Sequence, residues 1–197
     1  MRWIGLTGGI ASGKSTVGKI LEREGFPVVD ADLLAREAVQ PGQEALQNIA
    51  QVFGLGVLLP DGSLDRPKLG SIVFKDSQKL EELEALVHPH VQRLVQERKE
   101  ELESQGHKVA FYMVPLLFEK SLEDDYEEII LVTCDQETQI QRLKERNGMT
   151  TEEAMDRIDA QMPVEDKIPL SDHVIDNHGS LEELEENVME LVKKQFR

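Results

Sequence analysis

The stretch Gly8-Gly9-Ile10-Ala11-Ser12-Gly13-Lys14-Ser15 restricts the fold more than any other part of the chain, because it has the spacing G-x-x-x-x-G-K-[ST] of a phosphate-binding loop. Upstream, Trp3-Ile4-Gly5-Leu6-Thr7 is a short apolar run suited to a buried strand. Downstream, Val17, Ile20 and Leu21 recur at helical spacing. Strand, loop and helix thus come in the order such a loop needs. Gly8 and Gly13 are expected to take positive φ and let the backbone close on an anion. From Gly8 to Thr16, successive N–H groups then face phosphate oxygens, and the helix N-terminus adds its partial positive charge. Lys14 is expected to reach the β- and γ-phosphates of a nucleoside triphosphate, and the Ser15 hydroxyl to ligate Mg²⁺. The plainer alternative is a glycine turn that happens to precede Lys-Ser; the flanking strand and helix weigh against it.

A net charge of −16 and a pI near 4.7 argue against a nucleic-acid groove, which needs a clustered basic face, and against an anionic membrane surface. The acidity reads as a solvated surface. A chain of 197 residues suits one well-buried domain with small excursions. No apolar run nears membrane-spanning length, residues 114–118 being among the longest. The N-terminus runs straight into the strand and loop, which speaks against a cleavable leader. Cys134 is the single cysteine, so no internal disulfide is expected, and it reads as a small buried side chain. The expected compartment is cytoplasmic.

Gly25 supplies a stop after the first helix, and Phe26-Pro27-Val28-Val29-Asp30 reads as a second strand. Asp30-Ala31-Asp32 follows at its carboxyl end, where ligands sit in open α/β sheets. Positions two apart on a strand share a face, so both carboxylates are expected to enter one cleft. Asp32 also suits the cap of a helix over 33–39, and the two uses are compatible. From 40 to 106 the pattern is mostly helical. Ala45, Ile49, Val52 and Phe53 form one apolar face, 54–62 is a loop, and Asp65-Arg66-Pro67 has the form of a helix start. Leu80, Leu83, Val87, Val91, Leu94, Val95 and Leu102 continue an amphipathic pattern that Pro89 interrupts, which predicts two helices meeting at His88-Pro89-His90. That histidine pair lacks cysteines or an acidic partner at ligand spacing. A turn with one imidazole facing the cleft is favoured over a metal site.

Residues 108–113 return to strand character, and Val114-Pro115-Leu116-Leu117-Phe118-Glu119 is an apolar connection. Ile129-Ile130-Leu131-Val132-Thr133 is β-branched enough for a buried central strand. Asp135 caps a helix with Ile140 and Leu143 on one face and Arg142, Lys144 and Arg146 elsewhere. Thr150 to Glu153 fits a capping box that opens a short helix carrying Arg157. In so acidic a chain these arginines suit a clamp on transferred phosphate, although a salt-bridged surface helix accounts for any one of them alone. His173-Val174-Ile175-Asp176-Asn177 is a last strand. A second capping box at Ser180 to Glu183 opens a terminal helix bearing Leu181, Leu184, Val188, Leu191 and Val192. Strands alternating with helices give a parallel sheet covered on both faces.

Three kinds of phosphate-loop protein compete. A GTP-binding switch needs an Asn/Thr-Lys-x-Asp segment, and none exists; the one D-x-x-G, Asp176 to Gly179, lies too late in the chain. A motor or pump ATPase shows four apolar residues ending in a metal-holding aspartate, whereas the strands here end in Met113 and Thr133-Cys134. A small-molecule kinase remains, with an acid facing the loop, a helical acceptor-binding excursion and an Arg-bearing lid.

Gly5-Leu6-Thr7-Gly8-Gly9-Ile10-Ala11-Ser12-Gly13-Lys14-Ser15, Asp30-Ala31-Asp32-Leu33-Leu34-Ala35-Arg36, His88-Pro89-His90, Pro115-Leu116-Leu117-Phe118-Glu119 and Asp176-Asn177 together resemble the dephospho-CoA kinase family over nearly the whole chain. The resemblance implies an α/β fold of the P-loop NTPase type, three-layered with a parallel sheet, plus a helical acceptor-binding excursion and a small helical lid. It implies phosphorylation of the ribose 3′-hydroxyl of dephospho-CoA, the last step of coenzyme A biosynthesis, with Mg²⁺ as cofactor and ATP as co-substrate. No nucleic-acid or membrane partner is expected, and the chain is expected to be a monomer or weak homo-oligomer. The implied segments are a core of 1–31, 107–141 and 170–197, a CoA-binding part of 32–106, and a lid of 142–169. Asp32 matches the acid proposed as base, Arg142 a phosphate-contacting arginine, and Asn177 the approach to adenine. Arg146 is expected with them at ATP; Thr7, Asp32, Arg36, His88, His90 and Leu117 are expected at the acceptor. Two positions depart from the family. Ala11 stands where Gly is usual, which predicts that the loop needs no positive φ there. Met113 precedes Val-Pro where many members carry Asp, so Asp30, Asp32 or Glu119 has to supply the acid. A nucleoside or nucleotide kinase is the alternative enzyme, and a nucleotide-responsive binding module the alternative without turnover.

Overall fold

The computed structural model describes all 197 residues, Met1–Arg197. In chain order the elements are β1 (Arg2–Gly8), α1 (Lys14–Arg23), β2 (Val28–Asp30), α2 (Ala31–Glu37), α3 (Glu44–Phe53), α4 (Arg66–Val73), α5 (Ser77–Ser104), β3 (Val109–Met113), β4 (Glu128–Thr133), α6 (Gln136–Asn147), α7 (Thr151–Asp159), α8 (Val164–Lys167), β5 (His173–Asp176) and α9 (Leu181–Gln195). They form two compact units, Met1–Asp30 with Leu102–Arg197, and Ala31–Glu101.

The first unit is built on a parallel sheet of five strands in the order β2-β3-β1-β4-β5. β1 lies at its centre because it is apolar on both faces: every residue from Trp3 to Gly8 is buried. On one face Ile4 and Leu6 meet Val17, Ile20 and Leu21 of α1 and Leu184, Val188 and Val192 of α9. On the other, Trp3 stacks on Tyr112 with ring centroids 5.4 Å apart. Gly5 is required there, since a Cβ would stand 2.9 Å from Leu117 Cδ1 and 3.1 Å from the Tyr126 ring. At the β5 edge of the sheet Val174 is 46 % exposed. The chain leaves β1 at the carboxyl edge of the sheet, between neighbours β3 and β4 reached by separate crossovers, the position where open α/β sheets take ligands.

The second unit packs Val39, Ala45, Ile49, Val57, Leu69 and Val73 into its own core, with Leu80, Leu83, Leu86 and Val87 of α5 against it. Asp65 caps α4 by accepting from Lys68 N at 3.0 Å, with Pro67 inside the first turn, as the sequence predicts. Val52 is exposed, contrary to the apolar face expected of α3; the stripe runs at i, i+4 through Ala45, Ile49 and Phe53. The break expected at Pro89 is absent: α5 runs unbroken for 28 residues. A proline inside a helix costs roughly 3 kcal/mol. The apolar stripe keeps its phase on both sides of it, through Leu83, Leu86, Val87 and Leu94, and that packing outweighs one missing backbone bond. His88 and His90 consequently sit mid-helix rather than at a turn. Two positions apart, they point to different sides, His88 exposed and His90 half-buried.

Candidate active site

The loop between β1 and α1 has two surprises in its backbone. Gly13 takes the expected left-handed conformation, φ +100°, and serves as N-cap of α1. Gly8 does not have positive φ; it is required for space, because a Cβ there would stand 2.6 Å from the Val132 carbonyl oxygen. Ala11 is left-handed, φ +59°, which overturns the expectation drawn from its replacing glycine. An L-residue there costs about 1–2 kcal/mol. The surroundings hold it, since Ala11 O accepts from Arg142 Nη1 at 3.0 Å.

Three consecutive loop carbonyls are bonded to side chains from elsewhere in the first unit. Gln139 Nε2 donates to Ile10 O at 2.7 Å, Arg142 Nη1 to Ala11 O, and Asn177 Nδ2 to Ser12 O at 2.7 Å. In a planar trans peptide the next N–H points opposite to the carbonyl. Anchoring the carbonyls of 10, 11 and 12 therefore aims the N–H groups of Ala11, Ser12 and Gly13 the other way. Ser12 N is taken by Gly9 O at 3.1 Å, leaving the Ala11 and Gly13 groups aimed across the loop toward an anion. α1 begins at Lys14 with no acidic residue in its first turn, so that turn itself leaves the helix's positive end uncancelled. Lys14 is half-exposed, the Ser15 residue beside it exposed, and Thr16 N donates to Gly13 O at 2.8 Å.

Asp135 caps α6 by accepting from Thr138 N at 2.7 Å; bonds from Thr138 hold its carboxyl below the usual range. The cap fixes the helix so that Gln139 and Arg142, three positions apart, share the face toward the loop. Arg146 and Arg157 are exposed, and Arg146 Nε donates to Asn147 Oδ1 at 2.9 Å. Asn177 is buried under the loop. Cys134 is buried with its Sγ 4.0 Å from Ala11 O, and burial pushes its thiol up. Thr7 and Leu117, expected at the acceptor, are both fully enclosed. Thr7 Oγ1 and Ser12 Oγ have no hydrogen-bond partner in the chain. Asp30 ends β2 in register with Met113, whose side chain packs into the core toward Gly18 of α1, so apolar packing fills the place where the family resemblance led an acid to be expected.

Asp32 does not share a strand face with Asp30, as the sequence suggested. β2 stops at Asp30, and Asp32 is exposed in the first turn of α2, where the helix N-terminus favours a carboxylate. Arg36 is exposed one turn on, at i+4 on the same face. Both, with His88 and His90, belong to the second unit. Gln139 and Gln161 were missed by sequence reasoning; the one available signal was the i, i+3 spacing of Gln139 to Arg142.

Glu119, in the connection after β3, meets Lys167 of α8. Lys167 Nζ lies 2.8 Å from Glu119 Oε1, which also accepts from Met162 N at 3.1 Å. Lys167 is 1 % exposed and the Glu119 side chain 18 %. Burial pushes the Glu119 carboxyl up, but Lys167 and the backbone N–H groups of Glu119 and Met162 outweigh it and hold the group low. A lowered carboxylate stabilises the fold above its unfolded value of about 4.3, and the contribution is lost as pH falls through the native value. Lys167→Met is expected to cost roughly 2–3 kcal/mol at pH 7, below the range for a fully buried pair because Glu119 keeps some solvent. The gap in melting temperature from wild type should be full at pH 7 and narrow below about pH 4. A gap that stays constant across that range removes the pair as its cause.

The profile of the dephospho-CoA kinase family matches residues 2–183. The dephospho-CoA kinase of Geobacter sulfurreducens is 50 % identical over 196 residues, covering 100 % of both chains. The solved dephospho-CoA kinase of Campylobacter jejuni superposes with a TM-score of 0.74 at 27 % identity, covering 98 % of this chain and 97 % of its own. Shikimate kinase of Bacteroides thetaiotaomicron shares the fold at a TM-score of 0.50 and 16 % identity, covering 98 % of this chain and 97 % of its own. No helix of the chain is long and apolar enough to cross a membrane.

Proposed function

We propose a division of labour among the site residues from one premise: the chain belongs to the dephospho-CoA kinase family and transfers a phosphoryl group from ATP to dephospho-CoA in coenzyme A biosynthesis. The acceptor atom is the ribose 3′-hydroxyl. The observation that carries the reading is the row of outward-anchored carbonyls at Ile10, Ala11 and Ser12, which turns the loop's amides toward the phosphates.

Phosphoryl transfer asks for positioning and charge stabilisation more than covalent chemistry. Lys14 neutralises charge on the β- and γ-phosphates. Arg142 spends Nη1 on the loop and keeps its remaining guanidinium donors for phosphate oxygens. The donor set fits Mg²⁺: an exposed Ser15 hydroxyl, a hard oxygen donor of the kind that ion takes, stands at the helix start. Ser15 would hold the ion, which would supply further positive charge to offset that on the phosphates. Asp32 orients the acceptor hydroxyl and takes its proton late; its exposed carboxylate at the start of α2 and its match to the family's acid support the role. Asn177 supports the nucleotide through the Ser12 peptide and lies toward the adenine. Segment 142–169 acts as the lid, with Arg146 and Arg157 closing over the phosphates and excluding water. Residues 32–106 take the acceptor, with Arg36, His88 and His90 among its contacts. The chain acts as a monomer or weak homo-oligomer in the cytoplasm.

Purified protein with Mg²⁺ is expected to consume ATP rapidly only when dephospho-CoA is added, yielding a product heavier by one phosphate. Phosphorylation of a nucleoside in its place, with dephospho-CoA inert, would overturn the acceptor assignment and keep the loop chemistry.

A further inference from the structure

Gln139 and Gln161 bond the two peptides that flank Ile10, one on each side of the residue. Gln139 Nε2 donates to Ile10 O at 2.7 Å, while Gln161 Oε1 accepts from Ile10 N at 2.7 Å. The orientation of each amide is dictated by its partner, because a carbonyl only accepts and a backbone N–H only donates. Access depends on Gly9: a Cβ there would stand 2.8 Å from Gln139 Nε2 and 3.8 Å from Gln161 Oε1. The two glutamines come from different places, Gln139 from the capped helix α6 and Gln161 from the stretch between α7 and α8.

We propose that Gln139 and Gln161 are positioning residues that grip the Ile10 residue from both edges and hold the phosphate loop in its anion-binding shape. Both act through the backbone of Ile10. Gln139 fixes the carbonyl whose peptide presents the Ala11 N–H, and Ala11 is the residue held at an unfavourable positive φ. Without the grip, the Ile10–Ala11 peptide is free to turn over, relieving Ala11 and withdrawing an amide from the anion. Gln161 adds a second consequence: its bond ties the stretch after α7 directly to the loop, so the loop's shape and the placement of that stretch depend on each other. This deepens the reading that the loop binds the phosphates of ATP and rests on it.

The test exploits the opposite polarity of the two bonds. Gln→Glu keeps an acceptor and loses a donor, and it adds one negative charge at nearly the same place in either variant. Gln161→Glu therefore retains its bond and loses only what the added charge costs. Gln139→Glu sets a carboxylate against a carbonyl oxygen. Calorimetric ADP affinity is expected to fall at least about 10-fold further in Gln139→Glu than in Gln161→Glu. The KM for ATP should move in parallel, while kcat at saturating ATP changes less. Equal losses in the two variants, or none in either, would overturn the grip. Wild-type protein that binds no ADP would instead overturn the phosphate-loop reading beneath it.

Hydrogen exchange gives a second measurement, independent of how well the glutamate variants fold. The Ile10 amide is expected to exchange faster in Gln161→Met than in wild type or Gln139→Met, since only the first removes its acceptor. Uniform exchange rates across the three proteins would likewise overturn the proposal.

Discussion

Lys14→Ala is expected to lower kcat/KM for ATP about 10³-fold, with the fold and the melting temperature close to wild type. The figure follows from what one preorganised charge contributes. Removing a single electrostatic stabiliser from an active site typically costs 10²–10³ in rate, about 3–4 kcal/mol. Lys14 interacts with the phosphates before transfer as well, so ATP affinity falls along with kcat. Its position makes the loss hard to replace. Lys14 is the first residue of α1, directly after the left-handed Gly13, so its stem leaves the backbone where the loop and helix amides converge. Lys14→Met keeps the stem and drops the charge, and should match the alanine variant. Lys14→Arg keeps the charge but places a wider planar group at that point, and should recover less than about tenfold of the loss. Steady-state kinetics with calorimetric ADP binding checks all three. A Lys14→Ala protein with wild-type turnover would sink the assignment of this loop as the nucleotide site.

The parts of the fold legible in the sequence are those decided within a few residues. The caps at Asp65, Thr150 and Ser180 each close on a backbone N–H three positions on, so the local pattern and the outcome are the same fact. β1 and β4 announce themselves because a strand buried on both faces must be apolar throughout. Pro89 misleads for the complementary reason. Its local effect is a break, and what overrides it is packing by side chains on both sides of α5, which no short window contains.

The site divides along the same line. Its glycines and Lys14-Ser15 are contiguous, and the motif delivers them. The conformation of Ala11 is set by Arg142, 131 positions away, and the Ile10 residue is held by partners 129 and 151 positions away. Such partners carry no local signature: a glutamine that fixes a peptide looks in sequence like a glutamine on a wet helix. Asp32 shows a subtler failure. β2 ends at Asp30 as expected, but α2 begins at once at Ala31, two residues before the expected helix start, and that shift moves a carboxylate from a strand face to the first turn of a helix.

That first-turn position sets the second large expectation, that Asp32→Asn lowers kcat by roughly 10²–10³ while ATP affinity stays within about twofold of wild type. Asparagine matches aspartate in size and keeps one acceptor oxygen, so the helix start tolerates it; the lost charge costs about 0.3–1 kcal/mol at the N-terminus of α2, a shift of a few degrees in melting temperature. What asparagine cannot do is take the proton from the acceptor hydroxyl. In a loose transition state the attacking oxygen binds phosphorus late, so the base matters only as the hydroxyl's acidity rises near the end of transfer. That places the expected loss below the 10⁴ upper range of general-base effects. The separation of kcat from ATP affinity is the discriminating feature. A parallel loss of nucleotide binding would make Asp32 a partner of the metal or the phosphates. A kcat within threefold of wild type would remove Asp32 from the role and leave Asp30, at the carboxyl end of β2, as the acid to replace next.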